Sequence, residues 1–292
     1  MKNNEAELLE EISEEKDFEK FQIDFISSGA IVNMDLKFLI MYIPIFWVSL
    51  FIVFAFWYNY FIFLNILLQI LLIPIGILST FFIIAFGVAI SGKLIYIILI
   101  LLHYPKEGIF PAVKGNKDYN YWCLRVQLKK LVLWIMNNTP LPWIDTWGFR
   151  WFGVKVDFSS HMFDAWMDTE FIEFGRKVTI GQGAVVMSSM IVGDYLIIKK
   201  VKFDDYSVIG GVSNVAPGTH VGEDTVIGAF SSTKYNQELE SGWIYFGIPA
   251  SKLKENKYAE MRRNIIYKKD VDQRRKYKIE HGVNIDHEEE TE

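Results

Sequence analysis

The 292-residue chain holds a single cysteine, Cys123. One thiol excludes an internal disulfide framework and any Cys-rich zinc site, and leaves Cys123 as an expected packing residue. Charge is missing from Phe38 to Gly92, a run of 55 residues. Also missing is the basic start and immediate apolar core of a secretory signal. Residues 1–20 instead carry Glu5, Glu7, Glu10, Glu11, Glu14, Glu15, Asp17 and Glu19 against Lys2, Lys16 and Lys20, so 1–35 reads as a solvated acidic segment. The net charge of −5 points to no nucleic-acid partner.

Apolar residues make up 51% of the chain and aromatics 16%, both high for a soluble globular domain. A membrane crossing needs about 20 apolar residues, so the uncharged run is too long for one span. The reading is a membrane α-helical hairpin within 36–104. Its first span is 36–57, about 33 Å at 1.5 Å per residue. A turn at Asn59 and Tyr60 leads to a second span at 61–86, followed by an interfacial stretch to 104. Asn65, Gln69, Pro74 and Gly76 interrupt the second span and suit a face packed on another helix. Lys93 is expected to reach the aqueous interface. Lys106, Lys114, Lys117, Arg125, Lys129 and Lys130 follow the apolar block. The positive-inside rule therefore expects a multi-pass integral membrane protein with its C-terminal part in the cytosol and membrane lipids as neighbours.

Residues 105–155 are rich in Trp and basic side chains. Tyr119–Met136 reads as an amphipathic helix with Leu124, Leu128, Leu131 and Ile135 on one stripe. It suits either the membrane interface or the end of a neighbouring domain, and 138–142 terminates it.

From residue 156 the period becomes six. Ile180, Val186, Val192 and Ile198 form one apolar series, extended backwards by Phe174. Phe203, Ile209, Val215, Val221 and Ile227 form a second, one residue out of phase. Gly often follows the apolar position, and Ser or Thr comes four residues after it. This apolar–Gly–x–x–small–x pattern predicts a parallel β-helix over 156–254, in which each coil covers the apolar face of the next. An antiparallel sandwich would show period two instead. Residues 255–278 suit a charged, solvated helix, and Glu288–Glu292 a disordered tail.

These hexads, with the closing Gly247–Leu253 segment (Gly-Ile-Pro-Ala-Ser-Lys-Leu), resemble the hexapeptide-repeat acyltransferase superfamily. The resemblance covers 156–254 and implies an all-β left-handed parallel β-helix. With the apolar block in front, the chain looks like the membrane-anchored repeat domains at the ends of some nonribosomal peptide synthetases. The implied activity is acyl transfer from acyl-CoA, or an acyl carrier, to a hydroxyl or amine acceptor near the membrane. A histidine base and a groove between the prisms of a homotrimer are part of that expectation. His161 is the expected base, oriented by Asp168 or Glu170, and His220 is the weaker candidate. Lys200, Lys234, Lys252 and Lys254 are expected near the phosphates of the CoA co-substrate. Relatives of the membrane type carry a histidine where this chain has Ser188 and Ser189. Three alternatives follow: His161 replaces that base, the serines bind substrate, or the chain is an inactive trimeric scaffold. With at most two histidines in the β-helix, no metal site is expected.

Overall fold

The computed structural model describes residues 36–113, 115–141, 144–162, 164–257 and 259. The acidic segment 1–35, the tail, and nearly all of the helix expected over 255–278 lie outside them.

Two helices open the fold, α1 (Leu36–Phe63) and α2 (Ile66–Leu102). Both are long and apolar enough to cross a membrane, and most of their large side chains face outward. They run antiparallel. Trp57 Nε1 donates to Thr80 Oγ1 at 2.9 Å, Gly76 leaves room for the Trp57 ring, and Gly87 lies against Ser49. The expected turn at Asn59 and Tyr60 is helical instead. Asn59 bonds back to the Ala55 carbonyl, and the break falls at Leu64–Asn65, where Asn65 Oδ1 caps the Leu68 N–H at 3.0 Å. Nor does the second helix stop at 86. It continues without interruption to Leu102, about 55 Å in all, because Val88, Ala89, Ser91, Gly92, Tyr96 and Leu99 find protein to pack on. The stretch expected to lie along the interface is the last part of this helix.

Helix α3 (Lys117–Asn137) is capped by Asn116, and α4 (Ile144–Trp151) follows. Leu128 and Val132 of α3 are fully buried, with Val132 seated against Gly92. Of the two readings of this segment, packing against neighbouring elements is the one observed.

The remaining chain winds as a three-sided parallel coil. One face stacks His161–Met162, Thr179–Ile180, Val208–Ile209, Val226–Ile227 and Trp243–Phe246, and the antiparallel strand Ser251–Glu255 closes it. A second stacks Trp166–Met167, Val185–Val186 and Asn214–Val215. A third stacks Ile172–Phe174, Val201–Phe203, His220–Val221 and Glu238–Leu239. The inward members are the hexad aliphatics: Ile180, Val186, Ile209, Val215, Val221 and Ile227 are at most 1% exposed. The small residues sit at buried corners, where several of their hydroxyls satisfy backbone groups. Ser213 donates to the Gly228 carbonyl at 2.9 Å and Thr225 to that of Glu240 at 2.7 Å.

The first hexad series is interrupted. Val192 and Ile198 belong to an antiparallel hairpin, Ser189–Val192 with Tyr195–Ile198, whose outer edge pairs with Gly108–Pro111. Strand partners above the hairpin are 18 residues apart, as in Val208 with Val226. Across it they are 29 apart, as in Thr179 with Val208, so the hairpin adds eleven residues to one coil. It packs with Trp122 and Cys123 of α3 in a second apolar cluster, which is why Ile198 keeps an apolar identity that mimics the repeat.

Glycine roles divide by position. A Cβ on Gly181 would lie 2.5 Å from the Gly211 nitrogen in the next coil, whereas one on Gly193, at the hairpin tip with φ +56°, meets nothing within 4 Å. Gly181→Ala should therefore destabilise the coil by about 1–3 kcal/mol or more. Gly193→Ala should cost only the left-handed backbone penalty of about 1 kcal/mol. Paired denaturant unfolding curves measure both, and equal losses would contradict the stacking account.

Candidate functional site

Two polar clusters occupy the prism. The first lies where α2, α3 and the first coil meet. Arg125 Nε donates to Glu170 Oε1 at 2.7 Å, and Lys129 Nζ lies 3.1 Å from the same oxygen. All three residues are buried, Arg125 to 1% exposure. Tyr96 of α2 donates to the Phe152 carbonyl at 2.8 Å and is 3.5 Å from Glu170 Oε1. Beside this group, Asp168 Oδ2 accepts from the backbone N–H groups of Ser188 and Ser189, at 3.0 and 2.9 Å, and from the Ser189 hydroxyl at 2.7 Å. The crevice between them has room for about one water molecule.

Burial sets the electrostatics. It pushes the Asp168 carboxyl above its ordinary value, against hydrogen bonds from Ser189 that favour the anion. It would raise Glu170 too, but Lys129 and Arg125 outweigh it and hold that carboxyl below the ordinary range. Desolvation lowers the Lys129 ammonium, partly offset by Glu170.

This geometry corrects the expected active site. Asp168 and Glu170 do not serve His161. They stand beyond the prism's second face, Asp168 bonded to the hairpin base and Glu170 to α3, whereas exposed His161 begins the first face. Ser188 and Ser189 are 1% and 9% exposed. They fasten the start of the hairpin, and the Ser188 carbonyl accepts from Lys199 N–H at 2.8 Å where it ends. They line the one-water crevice and are not open to a larger substrate.

The second cluster lies outside the third face. His220 Nε2 is 2.8 Å from Asp204 Oδ2, and Lys202 Nζ is 2.8 Å from Asp204 Oδ1. Burial alone would raise Asp204, but the hydrogen bonds from Lys202 and His220 outweigh it and hold the carboxyl below its ordinary value. A carboxylate fixing an imidazole while the ring stays partly exposed, 42% here, is an arrangement suited to proton transfer. The sequence signal for it is register. Residues 18 apart are stacked, so Asp204, 16 before His220, lies two positions past the residue directly beneath it, Lys202. Arg125, Lys129 and Asp204 are the residues that sequence reasoning missed.

The four expected phosphate-binding lysines are not gathered. Lys200 Nζ is 3.3 Å from Glu173 near the first coil. Lys234 lies at a later corner, its N–H bonded to Gln237. Lys252 is tied to Glu240 at 2.6 Å and lies 3.8 Å over the Trp243 ring, with Lys254 on the same closing strand.

No protein-family model matches the chain. It is 27% identical over 150 residues to Delta-poly-L-ornithine synthetase of Acinetobacter baumannii, which is 51% of this chain and 11% of that one. The chain thus spans about a tenth of the curated relative it matches. Among solved structures it is similar in fold to a point mutant of AntD, an N-acyltransferase from Bacillus cereus. That likeness has 23% identity and a TM-score of 0.34, and covers 39% of this chain and 71% of that one. It is also similar to a maltose O-acetyltransferase from Clostridium difficile 630, with 17% identity, a TM-score of 0.38, and coverage of 51% and 92%. A hexapeptide-repeat-containing acetyltransferase, VCA0836 from Vibrio cholerae, is similar as well, at 17% identity and a TM-score of 0.34 over 46% of this chain and 90% of that one.

Removing the Glu170 charge leaves Arg125 and Lys129 buried without their partner. Glu170→Gln should cost about 3–5 kcal/mol at pH 7. Because the folded pKa is depressed, the carboxylate's contribution is complete above its ordinary value of 4.5 and is lost as pH falls through the folded value. The gap between wild type and variant should accordingly narrow in acid, as read from unfolding midpoints between pH 7 and pH 3. A constant gap would contradict this assignment.

Proposed function

We propose that the chain is a membrane-anchored acyltransferase that takes its acyl group from acyl-CoA or an acyl carrier. The observation that carries this reading is the His220–Asp204 pair on the outer third face of a hexapeptide-type β-helix. Helices α1 and α2 form the membrane hairpin, with the prism on the cytosolic side, supported by the basic residues that follow the apolar run. His220 takes the proton from the acceptor hydroxyl or amine as its oxygen or nitrogen attacks the thioester carbonyl. The C–S bond breaks, and the thiolate leaves with the proton from the imidazolium. Asp204 holds the ring in place through its 2.8 Å contact with Nε2.

A trimer of prisms belongs to this proposal, with the donor between neighbouring copies. Val212 and Phe230 support it. Both are exposed, at 53% and 68%, on a left-handed backbone at φ +56° and +59°. Such conformations are costly for branched or bulky side chains, and covering this apolar corner would offset the cost.

The test is CoA release by purified protein with acetyl-CoA and membrane lipid extract. His220→Ala should lower kcat by about 10²–10⁴-fold while CoA binding persists, and His161→Ala should stay within a few-fold of wild type. A wild-type chain that binds no CoA and releases none would favour the scaffold alternative, for which the closed Ser188–Ser189 knot is the supporting observation.

A further inference from the structure

The membrane-facing end of the prism carries a second, open site. Lys93 is the first charged residue after the apolar run, and its Nζ donates to the Trp151 carbonyl at the end of α4. Helix α4 therefore sits beside the first charge of α2, nine residues before that helix ends at Leu102. Directly after α4, Gly153–Asp157 line an open groove of about 490 Å³ with Arg150 and Phe174, within the size range of small-molecule sites. Exposed Trp147 and Phe158 flank it, aromatic side chains of the kind found at headgroup level.

The cavity is cationic at its rim. The Arg150 guanidinium stacks on Phe158 at 4.1 Å from the ring centre, and its Nη1 donates to the Val156 carbonyl at 3.1 Å. That fixes the planar group while leaving the residue exposed. Lys155 is exposed and paired with Glu173 at 2.6 Å. The acid in the lining, Asp157, accepts from the N–H and hydroxyl of Ser159 at 2.8 and 2.5 Å.

Lys155 also begins a column. It is bridged to Glu173, Glu173 stands beside Lys202, and Lys202 beside His220. At about 4.8 Å per strand step, Lys155 lies about 14 Å from His220 along one continuous polar face.

We infer that this cavity binds the phosphate of a membrane lipid headgroup through Arg150 and Lys155, and that the headgroup's far end extends along the column as the acyl acceptor at His220. This rests on the proposed membrane anchoring and on His220 as base. The phosphate is held at the membrane surface, the lipid tails remain in the bilayer, and the column spans the distance to the base. An arginine with a fixed fork and an exposed lysine suit a phosphate better than a neutral sugar.

The experiment titrates full-length protein in non-ionic detergent with dihexanoyl phosphatidate, inorganic phosphate and dihexanoylglycerol, following binding calorimetrically. No acyl donor is present, so the outcome is independent of whether His220 transfers an acyl group. The expected result is saturable phosphatidate binding, weakened at least tenfold by Lys155→Gln and by Arg150→Gln, with inorganic phosphate at least tenfold weaker and dihexanoylglycerol silent. Lys155→Gln, at an exposed position, keeps the test valid if Arg150→Gln fails to fold. Three results would overturn the inference: no saturable phosphatidate binding, binding unchanged by Lys155→Gln, or inorganic phosphate binding as tightly as the lipid, which would make the site one for a free anion.

Discussion

The fold depends on one buried ion cluster, Glu170 held between Arg125 and Lys129. Each partner comes from a different part of the chain: the carboxylate from the first coil, the cations from α3. Tyr96 of α2 joins through its hydroxyl. Burying these charges costs several kcal/mol per ion before their mutual attraction is counted. An apolar joint of the same volume would be no less stable, so what the cluster supplies is a single orientation. Arg125 can satisfy Glu170 only if the prism meets α3 in one rotation.

That orientation sets how the prism meets the apolar helices. With α3 seated on α2 through Val132 and Gly92, α4 is held at Lys93, and the chain enters the prism beside the last part of α2. The coils then stack away from that point. The third face, with Glu173, Lys202 and His220 in register, leads from the first coil to the His220–Asp204 pair. The hairpin at 189–198 lies on the α3 side of the prism, pinned by Asp168 and Gly108–Pro111, and leaves this face open.

Much of this was legible in the residues. Ile209, Val215, Val221 and Ile227 stack as their period of six requires, because an inward position in a coil of three short faces recurs every six residues. The same period misled at Val192 and Ile198, which lie in the hairpin, where packing on α3 keeps Ile198 apolar for another reason. Asn59 and Asn65 are both plausible helix breakers by type, and only backbone geometry shows that one bonds back within the helix while the other caps. The site was harder. Asp168 and Glu170 are close to His161 in sequence, but a β-helix turns a corner within a few residues and separates neighbours onto different faces. His220 and Asp204 meet because coil register brings residues about 18 apart together, a distance no local motif reports. Arg125 and Lys129 read as ordinary basic residues of an amphipathic helix, since burial is decided by what packs on it.

The apolar helices and the first coils thus form one mechanical unit joined at Glu170. Hydrogen exchange in the detergent-solubilised Arg125→Met variant tests this most directly. Amides of α3 and of the first coil, residues 161–178, should lose protection together, while the last coils keep theirs. Loss confined to α3, with the first coil as protected as in wild type, would contradict it.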